Sequence, residues 1–348
     1  MTIDAWVVGD GASAASPGES RQLTQARGRV LTRRVDGHHF AQFTLSGAVG
    51  VQGTSFDENA AIALRKSDLW VWRDGVQLAR HRIVGRQVQV DADRWTINYQ
   101  TVDYRGMLLL HARFKGTIPT WTSTDQHTIA WQMIQHRQAQ TGGNWGITNG
   151  TTASGQVRDE TSLTAGKSIG EAIDQLLARD NGSDWDISPA LALRAWTPRR
   201  TRDNGISLDY SRNAIVAFQG SSPSWANDVI FTGAENTTPA NETATDAGTD
   251  ERGLWSIYDS SPNTKDQTGL NDSAAGLLAD ALTLNHDWSV RLAPGRWGGD
   301  DELTLGDLVT VNLSPVGFSG VCRVMEMVHV PGDDGVESIT LGLREEEP

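Results

Sequence analysis

The sequence predicts a β-rich α+β protein in which two β-barrel-like domains flank a small α+β insert domain. Three observations carry this prediction. Residues 68–103 alternate apolar and polar side chains with the period of two that is typical of half-buried strands. Residues 124–140 and 168–179 instead place apolar side chains at helical spacing. Strand-like runs return after residue 205 and continue to residue 344.

The domain boundaries follow from these changes of pattern. They predict an N-terminal β-barrel-like domain at 1–117, an α+β insert at 118–200 and a C-terminal β-barrel-like domain at 201–348. A chain of 348 residues has room for two or three domains of ordinary size. No apolar run approaches the ~18–20 residues needed to span a bilayer, and the N-terminus lacks the basic start of a secretory signal. We therefore expect no membrane-spanning segment.

The first domain is predicted from its turns and its alternation. Asp74-Gly75 is typical of a type I′ hairpin turn and lies between two strand-like runs. An apolar stretch after the last strand predicts a short helical turn. The predicted elements are strands at 38–46, 68–72, 76–90 and 95–103 and a helical turn at 104–111.

The insert is predicted to contain two helices and a hairpin. The first helix, 124–140, places Ile129, Met133 and His136 on one face and ends at a Gly pair. The second, 168–179, begins with Ser168 and Glu171 at the spacing of a capping box. Its predicted buried side consists of Ile169, Ala172, Ile173, Leu176 and Leu177. The hairpin is predicted at 184–187 and 191–196.

The last domain is predicted as strands around one loop and one helix. Residues 234–252 are polar and without periodicity, which predicts an exposed loop. A helix is predicted at about 271–286. The predicted strands lie at 206–210, 214–218, 228–233, 302–313, 321–330 and 336–343, with a turn at 333–335.

Charge and cysteine content exclude some functions. The net charge is −13, and residues 201–348 carry 8 basic and 24 acidic side chains, a balance of −16. So acidic a region repels nucleic acid rather than binding it, because phosphate contacts need clustered Lys and Arg. Of the 30 basic residues 26 are Arg, which we interpret mainly as the codon bias of a G+C-rich genome. Cys322 is the single cysteine, so no internal disulfide can form.

Ser168 lies in a segment that matches two catalytic patterns. Residues 166–170 read G-x-S-x-G, as in a nucleophile elbow, and contain the G-K-S that ends a phosphate-binding loop. The phosphate loop needs a Gly at position 161, which is Thr161. The elbow needs a buried strand immediately before the serine, and the preceding residues do not resemble one. A helix cap explains Ser168 more simply, so we nominate no catalytic residue and expect no enzyme; a cryptic hydrolase remains a minor alternative.

Metal sites are also not predicted. Adjacent residues on a strand point to opposite faces, so His38 and His39 cannot share a metal. His127 and His136 are nine residues apart on the predicted helix and face apart. The acidic run 300–302 lacks the ligand spacing of a calcium loop and is more simply a solvated turn. We therefore expect neither a metal nor a cofactor.

The order of segments resembles phage tail hub proteins, including the minor tail proteins of actinobacteriophages, across most of residues 30–344. DLWVWRDGVQLARHRIVGRQV and RWTINYQTVDYRGMLL resemble their opening barrel. TIAWQMIQHRQAQTGGNWGIT, SLTAGKSIGEAIDQLLARDNGSDWDI and LALRAWTPRR resemble their middle domain. LTLGDLVTVNL, CRVMEMVHV and VESITLGL resemble their closing barrel. None of these motifs is catalytic; the resemblance lies in their order and spacing.

The resemblance implies a structural hub at the tail tip, or baseplate, of a siphophage virion, assembled in the host cytoplasm. It implies a homotrimer whose two similar units per chain imitate six-fold symmetry, joining the six-fold tail tube to the three-fold tip. The implied partners are other copies of the chain, the distal tail protein, other tail-tip proteins, the tape measure protein in the lumen, and genomic DNA in transit. No cofactor is implied, and no appended lysozyme or peptidase segment of the larger hubs is present.

A second function of a different class remains open. Thirteen Trp residues are unusually many, and exposed Trp side chains can stack on sugars. Trp121, Trp145, Trp225 and Trp297 lie near Gly, Pro or Ser in loop-like context and are the candidates for such stacking. The alternative function is therefore a carbohydrate-binding tail or adhesin module.

Overall fold

A computed structural model of the chain describes residues 3–11, 20–73, 75–161, 163–179, 183–221, 226–233, 237–243, 253–260, 267–282, 286–293, 303–332 and 336–346. Within these ranges the chain is rich in strands and has five α-helices, so the predicted β-rich α+β class is confirmed. The strands of the described part form open sheets, and none of these closes into a barrel. The two-barrel layout is therefore not confirmed. No helix in the described ranges is long and apolar enough to cross a membrane.

The N-terminal part follows the predicted alternation closely. The elements are β1 (Ile3–Asp10), β2 (Ser20–Gln22), β3 (Arg27–Arg34), β4 (Phe40–Ala48), α1 (Thr54–Ala60), β5 (Ser67–Arg73), β6 (Val76–Val90), β7 (Arg94–Asp103) and α2 (Tyr104–Leu110). Along β7, Ile97 and Tyr99 are buried while Asn98 and Gln100 are exposed, as the period of two predicts. β4 begins after His38-His39, two residues later than predicted. Asp74 of the predicted turn lies outside the described residues.

The insert has the predicted helices and hairpin. Its elements are β8 (Trp121–Asp125), α3 (Gln126–Gln138), β9 (Thr148–Asn149), β10 (Val157–Glu160), α4 (Ile169–Leu177), β11 (Asp184–Ile187) and β12 (Ala192–Trp196). The five apolar residues predicted for the buried side of α4 are all buried, together with Ile129 and Met133 of α3. α2 contributes Tyr104 and Leu108 to the same core, so the end of the first sheet packs into the insert.

The C-terminal part differs from the prediction in its loop, in its helix and in the strand predicted at 302–313, which begins only at Leu308. Its elements are β13 (Asp203–Asp209), β14 (Ala214–Ser221), β15 (Asp228–Thr232), β16 (Ala240–Thr243), β17 (Ser256–Ser260), α5 (Gln267–Leu282), β18 (His286–Leu292), β19 (Leu308–Leu313), a 3-10 turn (Ser314–Val316), β20 (Phe318–Pro331) and β21 (Glu337–Glu345). The predicted loop contains β16, which is held by backbone pairing with β15 rather than by an apolar pattern. The rest of that loop, 234–236 and 244–252, lies outside the described residues, as does the turn 333–335.

The difference in the helix concerns the position of α5. This helix begins four residues before the predicted start at 271 and ends at Leu282. The physical reason is the core it covers, because Leu270, Ala274 and Leu278 pack in one cluster with Val229 and other apolar residues of β15 and β16. The four-residue spacing of these side chains sets the buried face, and it starts earlier than the leucine-rich stretch that drew the prediction.

Six strands in each half of the chain have the same neighbours. The first unit, defined as β1 and β3–β7, has the spatial order β1-β5-β6-β7-β4-β3. The second unit, defined as β13, β14 and β18–β21, has the order β13-β19-β20-β21-β18-β14. Numbered in chain order within each unit, both read 1-4-5-6-3-2. One difference is that β1 is antiparallel to β5 whereas β13 is parallel to β19. The chain therefore contains two similar β units.

The two units also share local details. The register of the fifth strand against the sixth shifts between Ile83 and Gly85 in the first unit and between Val324 and Glu326 in the second. Such a bulge bends the strand away from its earlier neighbour. In both units a fully buried aspartate stands at the beginning of the fourth strand and is held by two arginines. In the first unit Asp68 binds Arg80 at 2.8 Å and Arg82 at 2.6 Å.

The second unit repeats this arrangement with more exposed partners. Asp307, immediately before β19, binds Arg202 at 2.7 Å and lies 3.7 Å from Arg200. The arginine side chains on Asp68 are 1% and 13% exposed, whereas Arg200 and Arg202 are 25% and 41% exposed. Removing the carboxylate therefore leaves two arginine charges almost without water contact in the first unit, but only partly shielded from water in the second.

A single joint connects the two units into one sheet. Residues 31–34 of β3 pair antiparallel with residues 326–329 of β20, and we call this pairing the internal joint. Val35 extends it by donating its N–H to the Met325 carbonyl at 2.8 Å. The Arg34 and Glu326 side chains pair across it at 2.6 Å. The fifth strand of the second unit thus binds the second strand of the first.

We expect Asp68→Ala to destabilise the protein more than Asp307→Ala. Removing one partner of a buried ion pair costs about 3–5 kcal/mol because the remaining charge stays desolvated. The exposed fractions of the arginines predict this full cost for Asp68→Ala and about half of it for Asp307→Ala. The free energy of unfolding from urea titration measures both.

Asp57→Ala is the matched surface control, since Asp57 meets Arg21 at 3.8 Å with both side chains about half exposed. We expect it to change stability by less than about 1 kcal/mol. Equal losses for Asp68→Ala and Asp307→Ala would contradict the exposure argument.

Candidate functional site

The free edge of β6 is one candidate contact surface. β5 pairs with β6 up to Arg82, and residues 86–90 hydrogen-bond to β7 alone in the described part of the chain. Val88 is 50% exposed and Val90 62% exposed on this segment. Exposed edge strands are ordinarily shielded by charge, Pro or a covering element, because unpaired N–H and C=O groups bind other strands. Beyond Arg86, residues 86–90 contain neither a charge nor a proline.

β14 forms a second free edge at the other end of the sheet. Among the described strands it pairs with β18 alone, apart from an isolated bridge between Tyr210 and Ala214. Ile215 on this strand is exposed. We call residues 86–90 of β6 and the outer side of β14 the open edges. They are the fifth strand of the first unit and the second strand of the second unit.

Buried charge reinforces the internal joint. His329 lies 2.9 Å from Glu337 Oε1 and 2.9 Å from the Nη2 of Arg73, and Arg73 also binds Glu337 directly. Burial would raise the pKa of the Glu337 carboxyl, but the His329 hydrogen bond and the two nearby positive groups hold it below its usual value. Burial also lowers the pKa of His329. Because all three side chains are buried, this group links β5 to β20 and β21 rather than meeting a substrate.

A second buried group lies where β7 meets α2. Asp103 caps α2 by accepting the Gly106 N–H at 2.8 Å, and its Oδ2 lies 3.6 Å from His39 Nδ1. Burial raises the pKa of Asp103 to about 7, although the Gly106 hydrogen bond opposes the rise. Burial and the Arg33 charge lower the pKa of nearby His81 to about 3. These shifts follow from burial in the core and not from a reactive cleft.

The helix-cap interpretation of Ser168 is confirmed. Its hydroxyl accepts the Glu171 N–H at 3.3 Å and donates to the Leu109 carbonyl at 2.7 Å. The side chain is buried, and both bonds are to backbone groups. The serine therefore begins α4 and ties it to the end of α2.

The histidines that were weighed as metal ligands have separate partners. His127 contacts the Thr152 carbonyl at 2.8 Å, whereas His136 contacts the Lys115 carbonyl at 3.0 Å. His39 contacts the Arg34 carbonyl at 3.0 Å. In the described ranges no three His, Cys, Asp or Glu side chains converge on a point that could hold a metal ion. Residues 300–302 lie outside those ranges.

The structure describes two of the four tryptophans nominated for sugar stacking, and neither is fully exposed. Trp121 is buried and donates to Gln132, so its nomination as an exposed residue is wrong. Trp145 is half-buried under the Arg137 guanidinium, 5.1 Å from the ring centre. Trp225 and Trp297 lie outside the described residues. Within the described residues, Trp255 and Tyr258 around β17 are exposed instead. Neither was nominated from the sequence, because the candidates were chosen among tryptophans in loop-like context.

One basic cleft lies between the first unit and the insert. It has a volume of about 510 Å³ and is lined by Arg65 and Lys66 on one side and by Trp145 and Leu191 on the other. Arg80 and Arg82 also line it, but both are engaged with Asp68, which offsets part of their charge. We assign no ligand to this cleft.

Solved structures of other proteins have a similar fold. No protein-family model and no curated protein matches the sequence. A 43 kDa tail protein of prophage MuSo2 from Shewanella oneidensis has a similar structure, with a TM-score of 0.69 and 14% identity over 98% of both chains. A tail protein from Neisseria meningitidis MC58 has a TM-score of 0.68 and 12% identity over 98% of this chain and 96% of its own.

The chain has the fold of a phage tail protein. A third similar structure is an Escherichia coli component of the type VI secretion system, described as structurally similar to the phage T4 tail proteins gp27 and gp5. It matches with a TM-score of 0.52 and 8% identity over 99% of this chain and 74% of its own. The resemblance to tail and baseplate hub proteins is thereby confirmed at the level of the fold.

The open edges were not predicted from the sequence. Nothing in a single strand shows whether its edge is covered, since the neighbour comes from elsewhere in the chain. The repeated unit, in contrast, left one signal in the sequence. The Asp-Leu pairs at 68–69 and 307–308 both open a fourth strand, so aligning them would have revealed the repeated unit.

We expect Asp103→Asn to gain stability over the wild type as the pH rises from 4 to 8. A carboxyl whose pKa is higher in the folded state binds more protons there, so the contribution of Asp103 to the free energy of unfolding of the wild type falls between about pH 4 and pH 7. The fall amounts to about 4 kcal/mol at most. Asparagine has no such titration and still caps a helix.

The measurement is the variant-minus-wild-type difference in unfolding free energy at fixed pH values. Taking the difference cancels groups that titrate alike in both proteins, including His81, whose depressed pKa acts in the opposite sense. A difference that stays constant from pH 4 to pH 8 would show that Asp103 does not titrate with a raised pKa.

Proposed function

We propose that the chain is a structural hub of a phage tail tip, or baseplate. In this proposal three copies form a ring with approximate six-fold symmetry that joins the six-fold tail tube to the three-fold tip and surrounds the DNA channel. The proposed domains are 1–117, 118–200 and 201–348. The chain acts by holding neighbours in place, and we propose no catalytic role for it.

The observation that carries the proposal is the repeated strand order. Both units read 1-4-5-6-3-2, and each presents a fifth and a second strand at equivalent positions. Three chains therefore present six similar units while keeping true three-fold symmetry. A ring of this kind can match a six-fold neighbour on one side and a three-fold neighbour on the other.

The fold comparisons support the setting. The similar structures are phage tail proteins and a secretion-system component described as similar to phage T4 tail proteins. We propose that the neighbours of this chain are the distal tail protein, other tail-tip proteins and the tape measure protein. Its proposed location is the tip of a siphophage virion.

Charge supports a role around moving DNA. Residues 201–348 carry a balance of −16, and like charge prevents the phosphate contacts that would hold DNA in a channel. Replacing several of these acidic residues by Lys in an assembled phage should slow DNA ejection. An unchanged ejection rate would argue against this role of the acidic region.

We expect the purified chain to form a closed trimer. Its mass by light scattering should be about 113 kDa, three times the chain mass of 37.8 kDa. Raising the concentration should not increase the mass, because a closed ring has no free edge for a fourth copy. Class averages of negatively stained particles should show a ring.

A stable dimer or tetramer would contradict the trimeric hub. A mass that grows continuously with concentration would contradict closure and indicate an open filament instead. A monomer would mean that the ring closes only with its tail neighbours, and the same measurement would then be repeated with the co-expressed neighbouring proteins.

A further inference from the structure

We propose that residues 86–90 of β6 in one copy pair antiparallel with β14 of a second copy, with Val88 opposite position 219. This inference rests on the proposed ring and names the strands that close it. Its occupant is a second copy of this chain. Within one copy, the internal joint already makes the same kind of contact between equivalent strands.

Equivalence of the strands identifies the partner. In the internal joint, the fifth strand of the second unit binds the second strand of the first unit. The open edges are the remaining fifth strand and the remaining second strand, β6 and β14. If a fifth strand again pairs with a second strand, β6 of one copy pairs with β14 of the next. Both edges are needed, and they are unlike, so the contact is head-to-tail.

The register can be counted through the sheet from the bulge. In the first unit, Gly85 follows the bulge and pairs with Gln100, which pairs with Gln42, which pairs with Val30. This path leads from β6 through β7 and β4 to β3. Val30 is therefore the position on the second strand that lies in line with the bulge of the fifth.

The same count in the second unit ends on β14. Glu326 follows the bulge and pairs with Gly342, which pairs with Ser289, which pairs with Phe218. Phe218 thus occupies in the second unit the place that Val30 occupies in the first. This equivalence depends on backbone pairing alone.

The internal joint now supplies the pairing itself. It places His329 opposite Leu31. His329 is three residues beyond Glu326, and Leu31 is one residue beyond Val30. The equivalents are Val88, three residues beyond Gly85, and position 219, one residue beyond 218. The proposed contact therefore sets Val88 opposite position 219.

The chemistry of the open edge fits association. Val88 pairs with Ile97, so the two side chains share a face, yet Ile97 is buried and Val88 is half exposed. Val90, the next residue on that face, is more exposed still. A strand from a second copy would cover both valines and would hydrogen-bond to the backbone groups of residues 86–90. The edge would then no longer be exposed to solvent.

The test is a disulfide between copies of the double variant Val88→Cys/Gln219→Cys. Directly opposed residues in antiparallel strands have Cα atoms about 4.5–5.5 Å apart, within the range a disulfide spans. Mild oxidation should give covalent dimers and trimers on a non-reducing gel. Background from the native cysteine should be low, because Cys322 is buried and burial raises its pKa to about 12.

Gln87→Cys/Gln219→Cys is the matched control. Gln87 neighbours Val88 on the same exposed segment but points to the opposite face of the strand. We expect roughly tenfold less cross-linking from it, since a slip of one residue turns the side chain away from its partner. Each single variant should form no covalent trimer, because Cys322 is buried and one accessible cysteine per chain can link two chains at most.

Each outcome separates this inference from the proposed ring. Covalent trimers from the Val88 pair, with few from the control, support the edge and its register. A trimeric mass without this cross-link would overturn the edge assignment and leave the hub standing. Equal cross-linking of the control would overturn the register. Absence of both the trimer and the cross-link at high protein concentration would overturn the inference together with the self-assembled ring.

Discussion

Backbone hydrogen bonding at the internal joint determines how the rest of the chain is arranged. Residues 31–34 of β3 would otherwise present an unpaired edge, and they pair with a strand almost 300 residues later in the chain. That pairing makes one sheet of two units and brings Arg73 of β5 against Glu337 of β21. Among the described strands, the equivalent edges of β6 and β14 have no such partner. The entropic cost of so distant a contact is only moderately larger than that of a nearer one, because the cost of closing a loop grows with the logarithm of its length.

Arginine–carboxylate pairs account for many of the buried charges in the described part of the chain. Asp68, Asp307 and Glu337 are all buried and all bound by arginine. The planar guanidinium can bind a carboxylate through several donors at once, which suits buried positions where neighbouring segments of the chain meet. Buried pairs of this kind add little net stability, but losing one partner is costly. Perturbed ionisable groups often mark active sites, yet here geometry assigns them to the joints between structural elements.

Local patterns in the sequence predicted the elements well, whereas contacts between distant segments escaped them. The alternation along β6 and β7 and the Ser168 cap of α4 depend on neighbouring residues and were predicted correctly. β16 was missed because its pairing with β15 replaces the apolar pattern that marks most strands. The start of α5 was misplaced because its buried face is set by β15 and β16. The internal joint and the open edges are properties of the whole sheet, so no single segment could reveal them.

The two kinds of joint in the proposed ring differ in chemistry although their strands are equivalent. At the internal joint, His329 is buried with Glu337 of the adjacent β21 and with Arg73. Counted from the bulge in the same way, the positions equivalent to His329 and Glu337 in the first unit carry Val88 and Trp95. Burying charge costs several kcal/mol per ion. Within one chain, the free energy of folding offsets this desolvation cost, and the two partners are already held in the same molecule. A joint between chains forms from surfaces that first face water, so uncharged side chains avoid this desolvation and gain from apolar burial. The exchange of charge for valine and tryptophan therefore suits the open edge to association, and it distinguishes joints made during folding from joints made when chains meet.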